Sequence, residues 1–258
     1  MRSARLNPMT VIRHCDLREI RGTLGWRAVA RLFTSGGEGE GDYSLKPFVR
    51  TNSIFVHLPK TGGVSVNRAL YGSLGMGHLT LREYRTLFRP RAFAGMFRFT
   101  FVRNPFDRIH SAYHFLRAGG MGEIDVEFAQ RVLEKYPSFE RFILEGLENE
   151  EVAGFWHFLP QTHFLGSEKD FHQDLDFVGR FETFEQDFDY VKARVNPSAR
   201  LPHINRTPRK PRDYRRAYTP EMVDRLARHY APVLALLGYE FDGAKRSAKV
   251  AKGVAAAR

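Results

Sequence analysis

The chain has 258 residues and a net charge of +11, with 43% hydrophobic and 27% charged residues. These values are typical of a globular protein and exclude wholesale disorder, and the length fits one large domain with a sizeable core. No apolar run approaches the roughly 18 residues that a membrane-spanning helix needs. The single cysteine, Cys15, excludes an internal disulfide and a cysteine-cage metal site, and favours a cytoplasmic setting.

The positive charge lies mainly in the two ends of the chain. Residues 1–31 carry seven arginines and two acids, and residues 243–258 carry five basic residues and no acid. Each segment therefore has a net charge of +5, which leaves +1 for residues 32–242. Such tails are typically solvated arms, although contact with an anionic surface or a nucleic acid is an alternative. We predict a basic arm with a glycine-rich linker over 1–42, a folded domain over 43–242, and a basic tail over the remainder.

Strand-like and helix-like patterns alternate along the predicted domain. Short apolar runs rich in β-branched and aromatic residues predict buried strands at 54–58, 97–102 and 176–181. Each strand is followed by a helical pattern. The second of these helices has Asn104 as its N-cap, and the third begins with a capping box of Thr183 and Gln186.

A further helix is predicted from Thr219 to the stop signal Gly238. Strands that alternate with helices over about 200 residues indicate an α/β fold, with a parallel sheet flanked by helices.

The segment H-L-P-K-T-G-G-V-S at 57–65 follows the first strand. Its glycine pair allows backbone amides to approach a ligand, and the following helix directs its positive N-terminal end to the same place. Lys60 adds a charge, and Thr61 and Ser65 add hydroxyl groups. This combination predicts a phosphate or sulfate site, although an ordinary strand–turn–helix corner with a surface lysine is the alternative. The order of residues is not that of a Walker A loop.

A second candidate anion site follows the next strand, in V-R-N-P-F-D-R-I-H-S-A-Y at 102–113. Arg103 precedes the helix cap, and Ser111 lies about two turns into the helix. A guanidinium and a hydroxyl at a helix start can bind a phosphate together. The alternative is an arginine that pairs with Asp107 and a serine without a function.

Together, the two motifs closely resemble those of the sulfotransferases that use 3′-phosphoadenosine 5′-phosphosulfate (PAPS). Within that family, they resemble the carbohydrate-type branch. Three later segments match landmarks of that family in order, namely 177–184, 203–207 and 218–241. The resemblance therefore covers roughly residues 52–242. The resemblance implies a P-loop-NTPase-like sulfotransferase fold with PAPS as the sulfuryl donor.

The resemblance also implies the roles of individual residues. The loop that binds the 5′-phosphosulfate corresponds to Lys60, Thr61, Gly62, Gly63, Val64 and Ser65. Arg103 and Ser111 correspond to the two ligands of the 3′-phosphate. In this assignment Lys60 stabilises the charge that grows on the bridging oxygen as the sulfuryl group leaves. No metal is expected, because sulfuryl oxygens carry less charge than phosphoryl oxygens.

His78 is the candidate general base among ten histidines. Its flanking glycines predict a loop, and its position resembles a G-H-x-S/T position that supplies the base in some glycan-modifying members. An ordinary imidazole would give activity that rises between about pH 6 and 7.5. The alternatives are an exposed loop histidine without a role, or a base elsewhere, with His114 as the first rival.

The expected acceptor is a hydroxyl group on a glycan or glycolipid. A basic strip at 200–216 either draws in an acidic saccharide or forms a solvated loop. We expect a cytoplasmic enzyme that has no nucleic-acid partner. Two other function classes remain open at this point: a nucleotide-dependent kinase-like enzyme, and a nucleic-acid-binding module that uses the tails.

Overall fold

A computed structural model of the chain describes Cys15, residues 43–202 and residues 213–244. Its main sheet has three parallel strands in the order β1 (Ser53–Val56), β2 (Phe97–Val102) and β3 (Phe177–Arg180). The predicted parallel sheet is therefore confirmed, and the outer strands are shorter than their sequence patterns indicated.

Helices occupy the connections between the strands and much of the chain after them. In chain order they are α1 (Lys46–Thr51), α2 (Gly63–Tyr71), α3 (Leu81–Leu87), α4 (Pro90–Gly95), α5 (Pro105–Arg117), α6 (Glu123–Arg131), α7 (Phe139–Arg141), α8 (Glu150–Ala153), α9 (Gln161–Leu165), α10 (Glu168–Asp174), α11 (Phe184–Val195), α12 (Pro220–His229) and α13 (Ala231–Leu237). Shorter 3₁₀ turns cover Leu133–Lys135, Phe181–Thr183 and Tyr214–Ala217, and a π-helical turn covers Phe142–Gly146. The architecture is α/β with a helix-flanked parallel sheet, which confirms the predicted fold class.

Aromatic side chains form the packing surface of the sheet. Phe99 on the central strand stacks on Phe55 of β1, with 5.0 Å between the ring centroids. Phe101 packs against Phe184 at the start of α11, with 5.2 Å between the centroids. Phe55, Phe99 and Phe101 are fully buried. Rings of this size contribute much of the apolar area that stabilises a core.

Two polar contacts fix the register of the strands. Thr100 Oγ1 donates a buried hydrogen bond of 2.8 Å to the carbonyl oxygen of Val56, at the end of β1. At the start of β3, the Asp176 carboxylate accepts from the backbone N–H of Arg98 and pairs with its guanidinium at 3.0 Å. The carboxyl ends of β1 and β2 therefore lie side by side, where the two sequence motifs begin.

Helix α5 carries the second motif away from the sheet. Asn104 is its N-cap, since its side-chain oxygen accepts from the N–H of Phe106 at 3.0 Å. Arg108, one turn further along, is fully buried and donates to the carbonyl oxygens of His157 (3.0 Å) and Leu159 (2.6 Å). These bonds attach the 157–159 segment to the helix.

The capping box predicted for Thr183 and Gln186 was wrong. A 3₁₀ turn runs into α11 without a break, so Thr183 does not have the extended backbone of a capping residue. Its hydroxyl instead donates to Asp187 Oδ2 at 2.6 Å, and the same oxygen accepts from the N–H of Arg180.

The long helix predicted from Thr219 to Gly238 is two helices, α12 and α13. Tyr230 separates them, and Pro232 lies in the first turn of the second helix. Proline has no N–H for a helical hydrogen bond, and its ring clashes with the turn before it. The predicted stop is confirmed, because Gly238 ends α13 in the left-handed conformation.

Several predicted segments lie outside the described residues, including most of the 1–42 arm, 203–212 and 245–258. Within the arm, Cys15 is fully buried and forms an antiparallel bridge with Phe88, so the chain packs on the domain at that point. A short hairpin of β4 (Tyr239–Glu240) and β5 (Gly243–Ala244) extends two residues past the predicted domain end. Among the described helices, none has the length and apolar character needed to cross a membrane.

Candidate active site

The first motif forms a tight turn between β1 and α2. Lys60 has the left-handed backbone angle φ = 66°, which is uncommon for a residue with a side chain, and Gly62 has φ = 82° and caps α2. An unusual backbone conformation at a strand end is a frequent property of ligand-binding turns. The N-terminus of α2 follows this turn directly, and the first amides of a helix have no partner within it and favour an anion.

Gly63 is required at its position because of the His57 side chain. A Cβ atom on Gly63 would lie 1.8 Å from Cδ2 of the His57 imidazole, which is far inside contact distance. His57 is buried and 3.3 Å from Asn67 through its Nδ1 atom. Burial, followed by the charges of His78 and His157, lowers the pKa of His57. A neutral imidazole therefore packs against the loop at Gly63.

The remaining residues of the loop differ in their surroundings. Thr61 is fully buried and its hydroxyl donates to the carbonyl oxygen of Leu58 at 2.9 Å, so this proton stabilises the turn itself. Val64 and Ser65 are partly exposed in the first turn of α2. The Ser65 hydroxyl is thus the more accessible of the two hydroxyl groups that the sequence singled out.

Arg103 connects the second motif to the first. Its guanidinium donates through one terminal nitrogen to the carbonyl oxygen of Lys60 (3.0 Å) and through Nε to Asp107 Oδ2 (2.7 Å). It also lies 4.0 Å from the centroid of the Phe181 ring. The pairing with Asp107 that the sequence left as an alternative is present, and the same guanidinium joins the two motifs.

Ser111 is one helical turn beyond Asp107 on α5. Residues four apart share one face of a helix, so Ser111 follows the Asp107–Arg103 pair along that face. The serine is partly exposed. The two proposed 3′-phosphate ligands therefore follow one face of α5, with Arg103 just before the helix and Ser111 about two turns into it.

Gln161 was missed by the sequence analysis. Its side chain is fully buried, accepts from the backbone N–H of Arg103 at 3.0 Å, and donates to the Arg103 carbonyl oxygen at 2.8 Å. This two-point contact fixes the backbone from which the guanidinium extends. It joins residues 58 positions apart, and a lone glutamine has no local pattern that reveals such a partner.

Two of the later sequence landmarks, 177–184 and 218–241, supply contacts to the same helix start. Glu182 accepts from the backbone N–H of Asn104 at 2.6 Å and from the hydroxyl of Tyr239 at 2.7 Å. The side-chain nitrogen of Asn104 donates to the carbonyl oxygen of Glu240 at 2.8 Å. Segments that are distant in the chain thus stabilise one site.

The Lys60 side chain extends over an aromatic ring. Its Nζ lies 3.5 Å from the centroid of Phe115 on α5, a cation–π contact. Burial, with the nearby charge of Arg103, lowers the pKa of Lys60 to about 8, and Asp125 acts in the opposite direction. At neutral pH the lysine is mainly a cation in a poorly hydrated place.

His78 lies beside the first motif and keeps part of its surface exposed. Its Nδ1 is 3.0 Å from the carbonyl oxygen of His57, and its ring centroid is 4.4 Å from that of His57. Burial lowers the pKa of His78 to about 4. The expectation of an ordinary imidazole pKa is therefore wrong, because the chain folds around the ring.

Two further residues of this region were also missed. His157 and Asp125 are buried, with 3.3 Å between His157 Nε2 and Asp125 Oδ1. The His157 ring lies 6.5 Å from the His78 ring and 5.3 Å from the Phe115 ring, measured between centroids.

The chain belongs to the sulfotransferase family, whose family model matches residues 51–239. The match spans the parallel sheet, both anion motifs and the C-terminal landmarks. No curated protein and no solved structure matches the chain significantly. The family defines the protein as a transferase of sulfuryl groups, and the fold agrees with this assignment.

The contact between Gly63 and His57 predicts the effect of a small substitution. Gly63→Ala should lower the free energy of unfolding by about 1–3 kcal/mol, since the loop or the imidazole must move to make room. Urea denaturation measures this loss. Gly95→Ala is the control, because a Cβ there meets open space, and it should leave stability unchanged or raise it by up to about 1 kcal/mol.

His57→Ala removes the ring that causes the clash but also leaves a cavity, so the losses of the two substitutions should not add: the double variant should be more stable than the sum of the two single losses predicts. A Gly63→Ala protein as stable as the wild type would show that the turn adapts without cost.

Proposed function

We propose that this sulfotransferase uses PAPS as its donor and transfers the sulfuryl group to a hydroxyl of a glycan or glycolipid. The donor carries a phosphosulfate and, separately, a 3′-phosphate, so it needs two anion sites at a fixed separation. The chain has two candidate anion motifs at the ends of two adjacent parallel strands.

The observation that carries the proposal is the hydrogen bond between Arg103 and the Lys60 carbonyl oxygen. It makes the two motifs one structural unit, so that two anionic groups of one nucleotide can be bound together. Contacts within the described part of the chain use two of the five guanidinium N–H groups of Arg103, which leaves donors for a phosphate.

The transfer itself can be written with the residues of the site. The acceptor oxygen forms a bond to sulfur while the bond from sulfur to the bridging oxygen breaks, and adenosine 3′,5′-bisphosphate leaves. By analogy with phosphoryl transfer, the transition state is loose, so that positioning and charge stabilisation dominate. Lys60 stabilises the negative charge on the bridging oxygen, and the loop amides bind the phosphosulfate oxygens.

His78 accepts the proton of the acceptor hydroxyl in this proposal. A carbonyl oxygen only accepts hydrogen bonds, so the contact with His57 assigns the proton of the ring to Nδ1 and leaves the lone pair on Nε2. A ring with a pKa of about 4 is neutral at pH 7 and ready to accept a proton. The tautomer required of a base is therefore fixed by the backbone.

The assignment of a glycan acceptor depends on one short segment of the sequence. It depends on the resemblance of Gly77-His78-Leu79-Thr80 to the base motif of glycan-modifying members. The Thr80 hydroxyl is engaged in a capping box with Glu83 at the start of α3, and so it positions the histidine loop. Most of the basic strip at 200–216 lies outside the described residues, and the cytoplasmic location remains a prediction.

The role of Arg103 is tested by nucleotide binding. Arg103→Ala should weaken adenosine 3′,5′-bisphosphate about ten- to a hundred-fold, because a charge-assisted contact contributes about 1.5–3 kcal/mol. Adenosine 5′-monophosphate, which lacks the 3′-phosphate, should lose much less affinity. Isothermal titration calorimetry with both nucleotides measures the difference.

Arg117→Ala provides a matched control, since Arg117 is exposed at the other end of α5. Equal weakening of both nucleotides in Arg103→Ala would show that Arg103 acts only by holding the Lys60 loop and does not bind the 3′-phosphate.

The role of His78 predicts two different pH profiles. In the free enzyme a base with a pKa of about 4 is active above that pH, so kcat/KM should rise through roughly pH 4–5. Bound donor adds negative charge, which favours the imidazolium and raises the pKa. The acid limb of kcat should therefore lie at higher pH than that of kcat/KM.

His78→Asn should lower kcat about 10²–10⁴-fold and keep nucleotide affinity, whereas His172→Asn on the exposed face of α10 should leave kcat unchanged. Circular dichroism at each pH checks that the protein is folded. An acid limb that persists in His78→Asn assigns the base to another residue.

A further inference from the structure

A row of side-chain contacts leads from Lys60 to an acidic residue, Asp125, that is 65 positions away in the chain. Lys60 Nζ lies over the Phe115 ring, Phe115 packs edge-on against His157, and His157 Nε2 is 3.3 Å from Asp125 Oδ1. We call these four residues the Asp125 row. Apart from Lys60, its members have no part in the proposed donor contacts.

The position of the Asp125 carboxylate is fixed by the turn between α5 and α6. Its Oδ2 accepts from the backbone N–H of Met121 at 2.9 Å. A Cβ on Gly120 would lie 2.6 Å from the same oxygen, so a glycine is needed for the carboxylate to occupy this place. The Asp125 side chain is 8% exposed, even though both chain neighbours, Ile124 and Val126, are exposed.

The carboxylate is ionised and incompletely neutralised. Although burial raises the pKa of Asp125, the nearby His157 and the Met121 N–H outweigh it and lower the pKa below the ordinary value. Oδ1 is buried, and among the described residues its polar neighbour is His157 Nε2, at the long distance of 3.3 Å. His157 is itself neutral near pH 7, because burial lowers its pKa. The negative charge therefore acts on its surroundings with little screening.

Four ionisable groups influence Lys60 from the elements around it. Arg103 repels the ammonium and Asp125 attracts it, while His78 and His157 carry a positive charge only in acid. Above neutral pH, therefore, the charged state of Lys60 depends on the repulsion by Arg103 and the attraction by Asp125. Lys60 Nζ contacts the Phe115 ring, and no carboxylate of the described residues lies at contact distance from it.

We propose that Asp125 is a positioning residue for sulfuryl transfer: its buried carboxylate supplies the negative charge that keeps Lys60 a cation above the Phe115 ring. His157 and Phe115 fill the space between the two charges and exclude water from it. The inference rests on the proposed transfer reaction, in which Lys60 must be charged when the bridging oxygen becomes an anion.

The test is the alkaline limb of kcat/KM, measured with PAPS in the full-length protein. In the wild type the activity should fall as Lys60 loses its proton near pH 8. In Asp125→Asn the limb should move to lower pH. A displacement of one unit, from pH 8 to pH 7, lowers the rate at pH 8.5, relative to that at pH 6.5, about six-fold further. A defect that is only structural would lower the rate equally at both pH values.

Glu127→Gln is the matched control, because it removes one negative charge from the exposed face of the same helix. Its pH profile should superimpose on that of the wild type. A further control is Lys60→Arg, whose guanidinium stays charged throughout this range. In that background the alkaline limb should be absent, and Asp125→Asn should no longer change the shape of the profile.

The failure of this inference differs from the failure of the proposed function. If the wild type neither binds adenosine 3′,5′-bisphosphate nor transfers sulfate, the proposed function is wrong. If the wild type does both and the Asp125→Asn profile matches it, only the role of Asp125 is wrong.

A direct measurement covers the case in which Asp125→Asn does not fold. NMR of ¹³C-labelled lysine side chains in the wild type reports the protonation of Lys60, whose signal is assigned by its loss in Lys60→Arg. A midpoint near pH 8 shows a lysine that stays charged at neutral pH in spite of its burial, as the proposal requires. A midpoint below pH 7 overturns it, because the carboxylate then does not keep the lysine charged.

Discussion

The hydrogen bond from Arg103 to the Lys60 carbonyl oxygen is the contact on which the organisation of the site depends. It joins a loop after β1 to a helix start after β2, two places that parallel strands bring to the same edge of a sheet. Asp107 and Gln161 hold the arginine from its side chain and its backbone. Because Lys60 is also held in a left-handed conformation, both cations are preorganised at a fixed separation before any ligand is bound.

Two preorganised cations, Lys60 and Arg103, repel each other, and the charges of the surrounding residues determine how large the total repulsion is. Burial lowers the pKa values of His57 and His78. These rings are therefore neutral at pH 7 and add no repulsion to Lys60 and Arg103. One buried acid, Asp125, provides a compensating charge. Burial lowers the pKa of His78 and so makes it a weaker base, while the hydrogen bond to the His57 carbonyl oxygen fixes its tautomer. The charge state of the site thus follows from which groups the fold removes from water.

The sequence predicted the parts of this arrangement that depend on local pattern. Three strands, the Asn104 cap and the stop at Gly238 follow from hydrophobic period and capping chemistry, and the structure confirms each. Gln161 and Asp125 were not predictable, because their partners are distant in the chain and their residue types are common on surfaces. The His78 pKa was missed since burial depends on tertiary packing, and the helix break at Pro232 was missed because apolar spacing continued through it.

The most direct test of the account is the nucleotide preference of the wild-type protein. Differential scanning fluorimetry should show clear stabilisation by adenosine 3′,5′-bisphosphate, about 2.7 kcal/mol at a concentration one hundred times its dissociation constant. Adenosine 5′-monophosphate and ATP at the same concentration should stabilise the protein much less, because neither has a 3′-phosphate to engage Arg103. Stabilisation by ATP that equals or exceeds that by the bisphosphate would contradict the assignment of the two joined motifs to a PAPS site.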